Sequence, residues 1–304
     1  MKIAITTTSF AQFDRAPLKL LEEAGAEVFL NPYGRKLTGE EVVQLAAEAD
    51  GLIAGTEPLD KTVLEKLTRL KVISRCGVGM DNIDCDAAQK RGIKVCNTPS
   101  GPTLAVAELT VGLILNLLRQ TALMDREMRS GLWKKRMGNL LHGKRVGVIG
   151  FGKIGQKTAD LLKVLGCEIC YCDKVKADNA TSAQRMELEE LLAQSDIVVL
   201  HVSGKFEKPL LGVKELALMK QDSWLVNTAR GGVVDEEALL KALKDGRLTG
   251  AALDVFAEEP YEGDLKQLDN VILTPHIGSY AREARIEMEH QAAVNLLEGL
   301  RIKD

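Results

Sequence analysis

Val146-Gly147-Val148-Ile149 runs directly into Gly150-x-Gly152-x-x-Gly155. In such a turn the first glycine permits the tight bend. The second lets backbone approach a pyrophosphate, and the third lets a helix pack closely on the strand. The helix that opens there, beginning with Lys153 and Ile154, offers unpaired N–H groups and the positive end of its dipole to phosphate. Asp173 closes the next apolar run, Cys170-Tyr171-Cys172, about 20 residues further on. A carboxylate there accepts from a ribose 2′-hydroxyl and repels a 2′-phosphate, so NAD is favoured over NADP.

Beside a nicotinamide, reduction of a 2-keto acid requires a cation for the carboxylate and carbonyl. It also requires a proton donor and a group that keeps the donor charged. Arg230 lies in Asn227-Thr228-Ala229-Arg230-Gly231-Gly232, just past an apolar run. Arginine can hold a carboxylate through two N–H groups. Glu259 lies in Asp254-Val255-Phe256-Ala257-Glu258-Glu259-Pro260, and His276 in Thr274-Pro275-His276-Ile277-Gly278. A histidine can carry a proton at neutral pH, and a carboxylate beside one favours its charged form. Spacing alone leaves open whether Glu259 and His276 meet. The other histidines read as structural: His142 before a domain start, His290 in a terminal helix, and His201 at a strand end, as a packing or hinge residue.

The elements that carry these residues alternate. Strands are expected at Lys2–Thr8, Glu27–Leu30, Gly51–Gly55, Lys71–Cys76 and Ile93–Asn97, with helices between them. Thr38-Gly39-Glu40-Glu41 has the spacing of a capping box. Thr98-Pro99-Ser100-Gly101-Pro102 marks a boundary. A long apolar helix over Thr103–Gln120 follows, and then a polar, basic stretch through Lys134-Lys135-Arg136. A second series has six expected strands: Arg145–Ile149, Glu168–Cys172, Ile197–Val202, Trp224–Asn227, Ala251–Val255 and Val271–Thr274. A closing helix is expected over Ala281–Leu300. Alternation of this kind makes an α/β protein with parallel sheets covered on both faces.

Composition narrows the function. At 304 residues the chain suits two domains. A net charge of −3 is too balanced for a chain built mainly for nucleic acid or an anionic membrane. Aromatics, at 4%, are too scarce for stacking on single strands. The longest apolar run, Val111 to Leu118, is well short of the about 20 residues that span a membrane. The N-terminus lacks a secretory apolar region, so a cytoplasmic protein with reduced cysteines is expected. Cys167-x-x-Cys170 gives too few ligands for a structural zinc, and no metal is expected.

Together, the glycine turn with Asp173, the Arg230 turn, the Glu259 segment and the His276 segment resemble the D-isomer-specific 2-hydroxyacid dehydrogenases. The likeness runs over nearly the whole chain. Within that family it is greatest to the D-3-phosphoglycerate dehydrogenases, through Arg75-Cys76-Gly77-Val78-Gly79-Met80-Asp81-Asn82-Ile83-Asp84, Asn97-Thr98-Pro99 and Trp133-Lys134-Lys135-Arg136-Met137-Gly138.

The resemblance implies a Rossmann-type NAD-binding domain, residues 100–279, inserted into a smaller flavodoxin-like α/β substrate domain, residues 1–99 and 280–304. The site would lie in the cleft between them. It implies Arg230, Glu259 and His276 as catalytic residues. Asp254 would hold the nicotinamide amide, with Thr228, Ala229, Arg230, His276, His201 and Gly278 also on the cofactor. Arg75, Cys76, Gly77 and Val78 would meet the substrate together with Arg230 and His276, and Cys76 there could make the enzyme sensitive to thiol reagents. A homodimer, or else a tetramer, is expected through the cofactor domain. The chain stops after its closing helix, so no C-terminal regulatory domain is expected.

The implied substrate is a small anionic 2-hydroxy or 2-keto acid, first of all 3-phosphoglycerate and its keto form. The alternative is an unphosphorylated acid such as hydroxypyruvate or glyoxylate. Arg75 and Arg136, the latter from a partner subunit, could serve a phosphate. However, Glu57 in Gly55-Thr56-Glu57-Pro58 stands where phosphoglycerate-specific relatives usually offer a basic residue, and His201-Val202-Ser203-Gly204 lacks the usual proline. A second class of function is an NAD(H)-sensing binding protein on the same scaffold. Intact Arg230, Glu259 and His276 favour the enzyme.

Overall fold

The computed structural model of the chain describes residues 1–176, 183–204 and 206–301. The chain divides into two units, Met1–Pro102 with Ser279–Asp304, and Thr103–Gly278. The crossings fall within a few residues of the expected 99/100 and 279/280. Residues 302–304 of the expected final segment lie outside the described residues.

The first unit holds a parallel sheet of β1 (Lys2–Ile5), β2 (Glu27–Leu30), β3 (Gly51–Ala54), β4 (Val72–Arg75) and β5 (Lys94–Asn97). Its order, β2-β1-β3-β4-β5, is the flavodoxin-like one, with the switch point between β1 and β3. β3 is buried at all four positions because helices cover both faces of the sheet. The helix Gly39–Ala46 starts on the expected capping box. The Thr38 amide donates to Glu41 Oε2 at 2.8 Å, and the Glu41 amide donates to Thr38 Oγ1 at 3.3 Å. The closing helix Arg282–Arg301 buries Met288, Ala292, Ala293 and Leu296 against Ile3, Ile5, Ile53 and Val72.

The second unit holds β6 (Arg145–Ile149), β7 (Glu168–Cys172), β8 (Gln184–Arg185), β9 (Ile197–Leu200), β10 (Ser223–Asn227), β11 (Leu248–Leu253) and β12 (Val271–Leu273). The order β12-β11-β10-β9-β6-β7-β8 is the dinucleotide-binding arrangement with one further strand at its end. Among the described residues this sheet has seven strands rather than six, because the two-residue β8 adds to its edge.

Two helices differ from expectation. Helix Gly101–Arg119 takes in Gly101 and Pro102, since proline is tolerated in a first helical turn, where its missing N–H has no partner to lose. By length and composition alone, with a mean hydropathy of 1.6, it could cross a membrane, unlike the shorter run read from the sequence. In the fold Leu113, Ile114, Leu117 and Leu118 pack into a core with Val146, Val148, Val199 and Trp224. Thr121–Arg129 is helical where only a polar stretch was expected, and it buries none of its residues.

Candidate active site

The switch point of the second unit lies between β6 and β9, and the glycine turn fills it. Gly150 has φ +91°, and a Cβ there would stand 2.6 Å from the His201 carbonyl carbon and the Val202 nitrogen. A Cβ on Gly155 would stand 2.1 Å from the Gly150 oxygen, so helix and strand are in direct contact. Gly152 has open space around its Cα and starts helix Lys153–Val164 without a side-chain cap. Backbone amides thus remain for a pyrophosphate at an uncrowded turn.

Asp173 is aimed at this turn. Its Oδ2 accepts from the Phe151 amide at 2.6 Å and its Oδ1 from the Val175 amide at 2.9 Å. Phe151 also stacks on Tyr171, with ring centroids 4.1 Å apart. Each carboxylate oxygen retains a second lone pair for a ribose hydroxyl. The open Gly152, the uncapped helix start and the placed carboxylate fit NAD.

His201 borders the turn with its backbone, not its ring. The ring points to helix Lys153–Val164, with Nε2 2.9 Å from Thr158 Oγ1. Its Nδ1 is sealed from solvent without a hydrogen-bond partner. Burial pushes the imidazole down to about 3, so it stays neutral. The ring is thus paired with Thr158, and it is the His201 backbone that lies against the glycine turn.

At the end of β10 the Asn227 side chain closes the next turn. Its Oδ1 accepts from the Ala229 amide at 3.0 Å, and its Nδ2 donates to the Arg230 carbonyl at 3.0 Å. Arg230 donates to the Ala229 carbonyl at 2.7 Å. Thr228 is buried, its hydroxyl 2.9 Å from that of Thr110. A Cβ on Gly231 would lie 1.7 Å from the Phe256 oxygen. Only glycine therefore lets this turn press on the loop after β11. In that loop the Phe256 amide donates to Glu259 Oε1 at 3.2 Å. The other oxygen, Glu259 Oε2, is 3.0 Å from His276 Nδ1. Glu259 and His276 therefore meet, which spacing alone left open. With a carboxylate facing Nδ1, the hydrogen sits there, and Nε2 is the nitrogen left to give or take a proton.

Asp254 also has a part to play inside the protein. It is 1% exposed, and its carboxylate accepts from Thr274 Oγ1 at 2.6 Å and from the amides of Ile277 and Gly278 at 2.8 Å each. Burial pushes this carboxyl up, and the three donors act against that. Three of roughly four acceptor positions on a carboxylate are thus taken by the loop that carries His276. One position is left over, as many as an amide N–H of a nicotinamide would need.

In the first unit the Gly77 amide donates to Thr98 Oγ1 at 2.7 Å and to the Arg75 carbonyl at 3.0 Å, so it is already paired inside the unit. The Arg75 guanidinium donates to the Cys76 carbonyl and lies over Gly77, where a Cβ would meet Nη1 at 2.5 Å. Cys76 is 3% exposed, and burial pushes its thiol up to about 11. That corrects the expected sensitivity to thiol reagents, since the thiolate is the reactive form. Glu57 is buried. Its carboxylate accepts from the Thr6 hydroxyl and from the Gly55 amide at 2.9 Å. Among the described residues no group of three or more His, Cys, Asp or Glu could hold a metal ion.

Residues 111–278 match the model of the D-isomer specific 2-hydroxyacid dehydrogenase NAD binding domain. The chain belongs to that family: it is an NAD-dependent D-2-hydroxyacid dehydrogenase. It is 43% identical to a glyoxylate reductase of Thermococcus litoralis over 271 residues, covering 84% of this chain and 82% of the relative. It is 41% identical to a D-3-phosphoglycerate dehydrogenase of Methanocaldococcus jannaschii, covering 88% of this chain but 52% of that protein. The crystal structure of the TT0316 protein from Thermus thermophilus superposes with a TM-score of 0.92 at 37% identity, over 99% of this chain and 97% of the other.

Proposed function

We propose that this dehydrogenase reduces a small unphosphorylated 2-keto acid, glyoxylate or hydroxypyruvate, to the corresponding 2-hydroxy acid. The observation that carries this reading is the state of the cations a phosphate would need. Arg75 is folded onto the Cys76 carbonyl, and Arg136 donates to Glu127, with Nε 2.9 Å from Oε2. The relatives agree in kind. The Thermococcus protein of matching length is a glyoxylate reductase, whereas the phosphoglycerate relative is matched over about half its length. The phosphoglycerate expectation therefore yields to its alternative.

In this reading bound NADH supplies the hydride. Arg230 holds the substrate carboxylate and polarises the carbonyl, where its planar fork suits both tasks. His276 Nε2 gives its proton to the forming alkoxide. Glu259 holds Nδ1–H, fixes the ring and stabilises the imidazolium before transfer. In the oxidative direction the same nitrogen accepts the proton.

With glyoxylate as substrate, His276→Ala is expected to lower kcat about 10²- to 10⁴-fold. The Kd for NADH, read by fluorescence, should stay unchanged. A near-normal kcat would remove His276 from this role. A wild-type protein that oxidises no NADH with any 2-keto acid would point instead to an NAD(H)-sensing binding protein.

We also propose a homodimer formed through helix Gly101–Arg119 and the segment after it. Trp133, Met137 and Leu140 are 78%, 92% and 74% exposed there. They make an apolar surface of the kind that marks an interface. A cytoplasmic setting is proposed on the six cysteines, all free thiols.

A further inference from the structure

His276 has a φ of 55°, a left-handed backbone. Residues other than glycine seldom adopt it. Its neighbours on both sides are fastened to one point. Thr274, two residues before it, donates through its hydroxyl to Asp254 Oδ1 at 2.6 Å. Ile277 and Gly278, after it, donate through their amides to Asp254 Oδ1 and Oδ2. The His276 amide turns back to the Thr274 carbonyl at 3.0 Å. Asp254 is itself anchored in the sheet, because its amide donates to the Asn227 carbonyl at 2.9 Å and Thr274 extends the ladder to Leu253 at 3.0 Å.

We infer that Thr274 and Asp254 form a strut that holds the histidine loop in its left-handed turn, with His276 Nδ1 at Glu259. Both are positioning residues, and the inference rests on the proton-transfer role proposed for His276. Converging donors on one buried carboxylate close the loop from inside, so His276 is displayed outward. Charge-assisted bonds of this kind are short and directional, which suits a brace. Thr274 has no place among the cofactor or substrate contacts the sequence suggests, so it isolates this role from any hold Asp254 has on nicotinamide.

The experiment compares Thr274→Val, which keeps the shape and loses the donor, with Thr274→Ser, which keeps the donor. Thr274→Ala is a second loss variant should valine crowd the carboxylate and prevent folding. Three quantities are read: kcat with glyoxylate, the Kd for NADH, and the proton NMR signal of the hydrogen-bonded His276 Nδ1–H, identified by its loss in His276→Ala. A displaced catalytic group costs up to about 10²-fold, so the loss variants should lower kcat at least about tenfold. Their Kd for NADH should stay within about twofold, and their Nδ1–H signal should broaden or vanish. Thr274→Ser should restore both kcat and the signal. Wild-type kcat in a folded loss variant, a loss that serine does not restore, or an effect confined to the NADH Kd would each overturn the inference. The NMR signal needs no turnover, so it still reads the strut if the proposed substrate fails.

Discussion

At position 57 a carboxylate that the sequence sets where phosphoglycerate-specific relatives offer a basic residue is a buried brace, tied to the Thr6 hydroxyl and the Gly55 amide. It ties the chain after β1 to the chain after β3, at the switch point of the first unit. Cys76 shows the same reversal. Its thiol lies in the expected substrate loop, but burial raises it to about 11. Burial therefore disfavours its thiolate, the reactive form, at pH 8. Cys85 is exposed. A maleimide at pH 7.5 should therefore label Cys85 and spare Cys76, as read by peptide mass spectrometry. Fast labelling of Cys76 with loss of activity would contradict the burial of its thiol.

Among the elements, β9 leads into a histidine whose burial disfavours its charged form. The imidazole of His201 is held down to about 3. The unfolded chain titrates near about 6.5. Between those values the unfolded chain binds the proton and the folded chain does not. Stability contributed by the neutral ring is thus complete above about pH 6.5 and lost as pH falls toward about 3. His201→Gln, which can still hydrogen-bond to Thr158, should show a shallower fall of Tm between pH 8 and pH 4 than the wild type. Parallel Tm profiles would place the acid lability elsewhere.

Strand and helix identities were legible where periodicity and capping agree, as at Thr38 with Glu41 and at Arg145–Ile149. Other features were not. β11 starts at Leu248, ahead of the expected Ala251, because Gly250 reads as a breaker. In the fold it lets a neighbour approach, since a Cβ there would be 2.7 Å from the Asn270 oxygen. Helix Thr121–Arg129 buries no residue, so it leaves no apolar stripe to find. At the site, the residue types of Arg230, Glu259 and His276 were legible, and so was the glycine turn. The work of Asp254 was not, because three donors converge on it from residues 274–278, and only the fold brings them there.

For the molecule as a whole, two α/β units share one chain, and the second carries both the dinucleotide turn and the Glu259–His276 pair. The exposed Trp133, Met137 and Leu140 give the proposed homodimer a direct test. Sedimentation equilibrium should return twice the 33.1 kDa chain mass for the wild type. Met137→Asp combined with Leu140→Asp should give a monomer, since charge in an apolar contact opposes its burial. A wild-type monomer at micromolar concentration would contradict the proposed dimer.

The substrate separates the two readings of this dehydrogenase. The most direct measurement is kcat/KM for NADH-dependent reduction of hydroxypyruvate against 3-phosphohydroxypyruvate, in one buffer and with one enzyme preparation. The two differ only in the phosphate. With Arg75 turned onto the Cys76 carbonyl and Arg136 paired with Glu127, hydroxypyruvate should be preferred by at least about tenfold, a difference of about 1.4 kcal/mol in transition-state binding. Equal values, or a preference for the phosphorylated acid, would contradict the account.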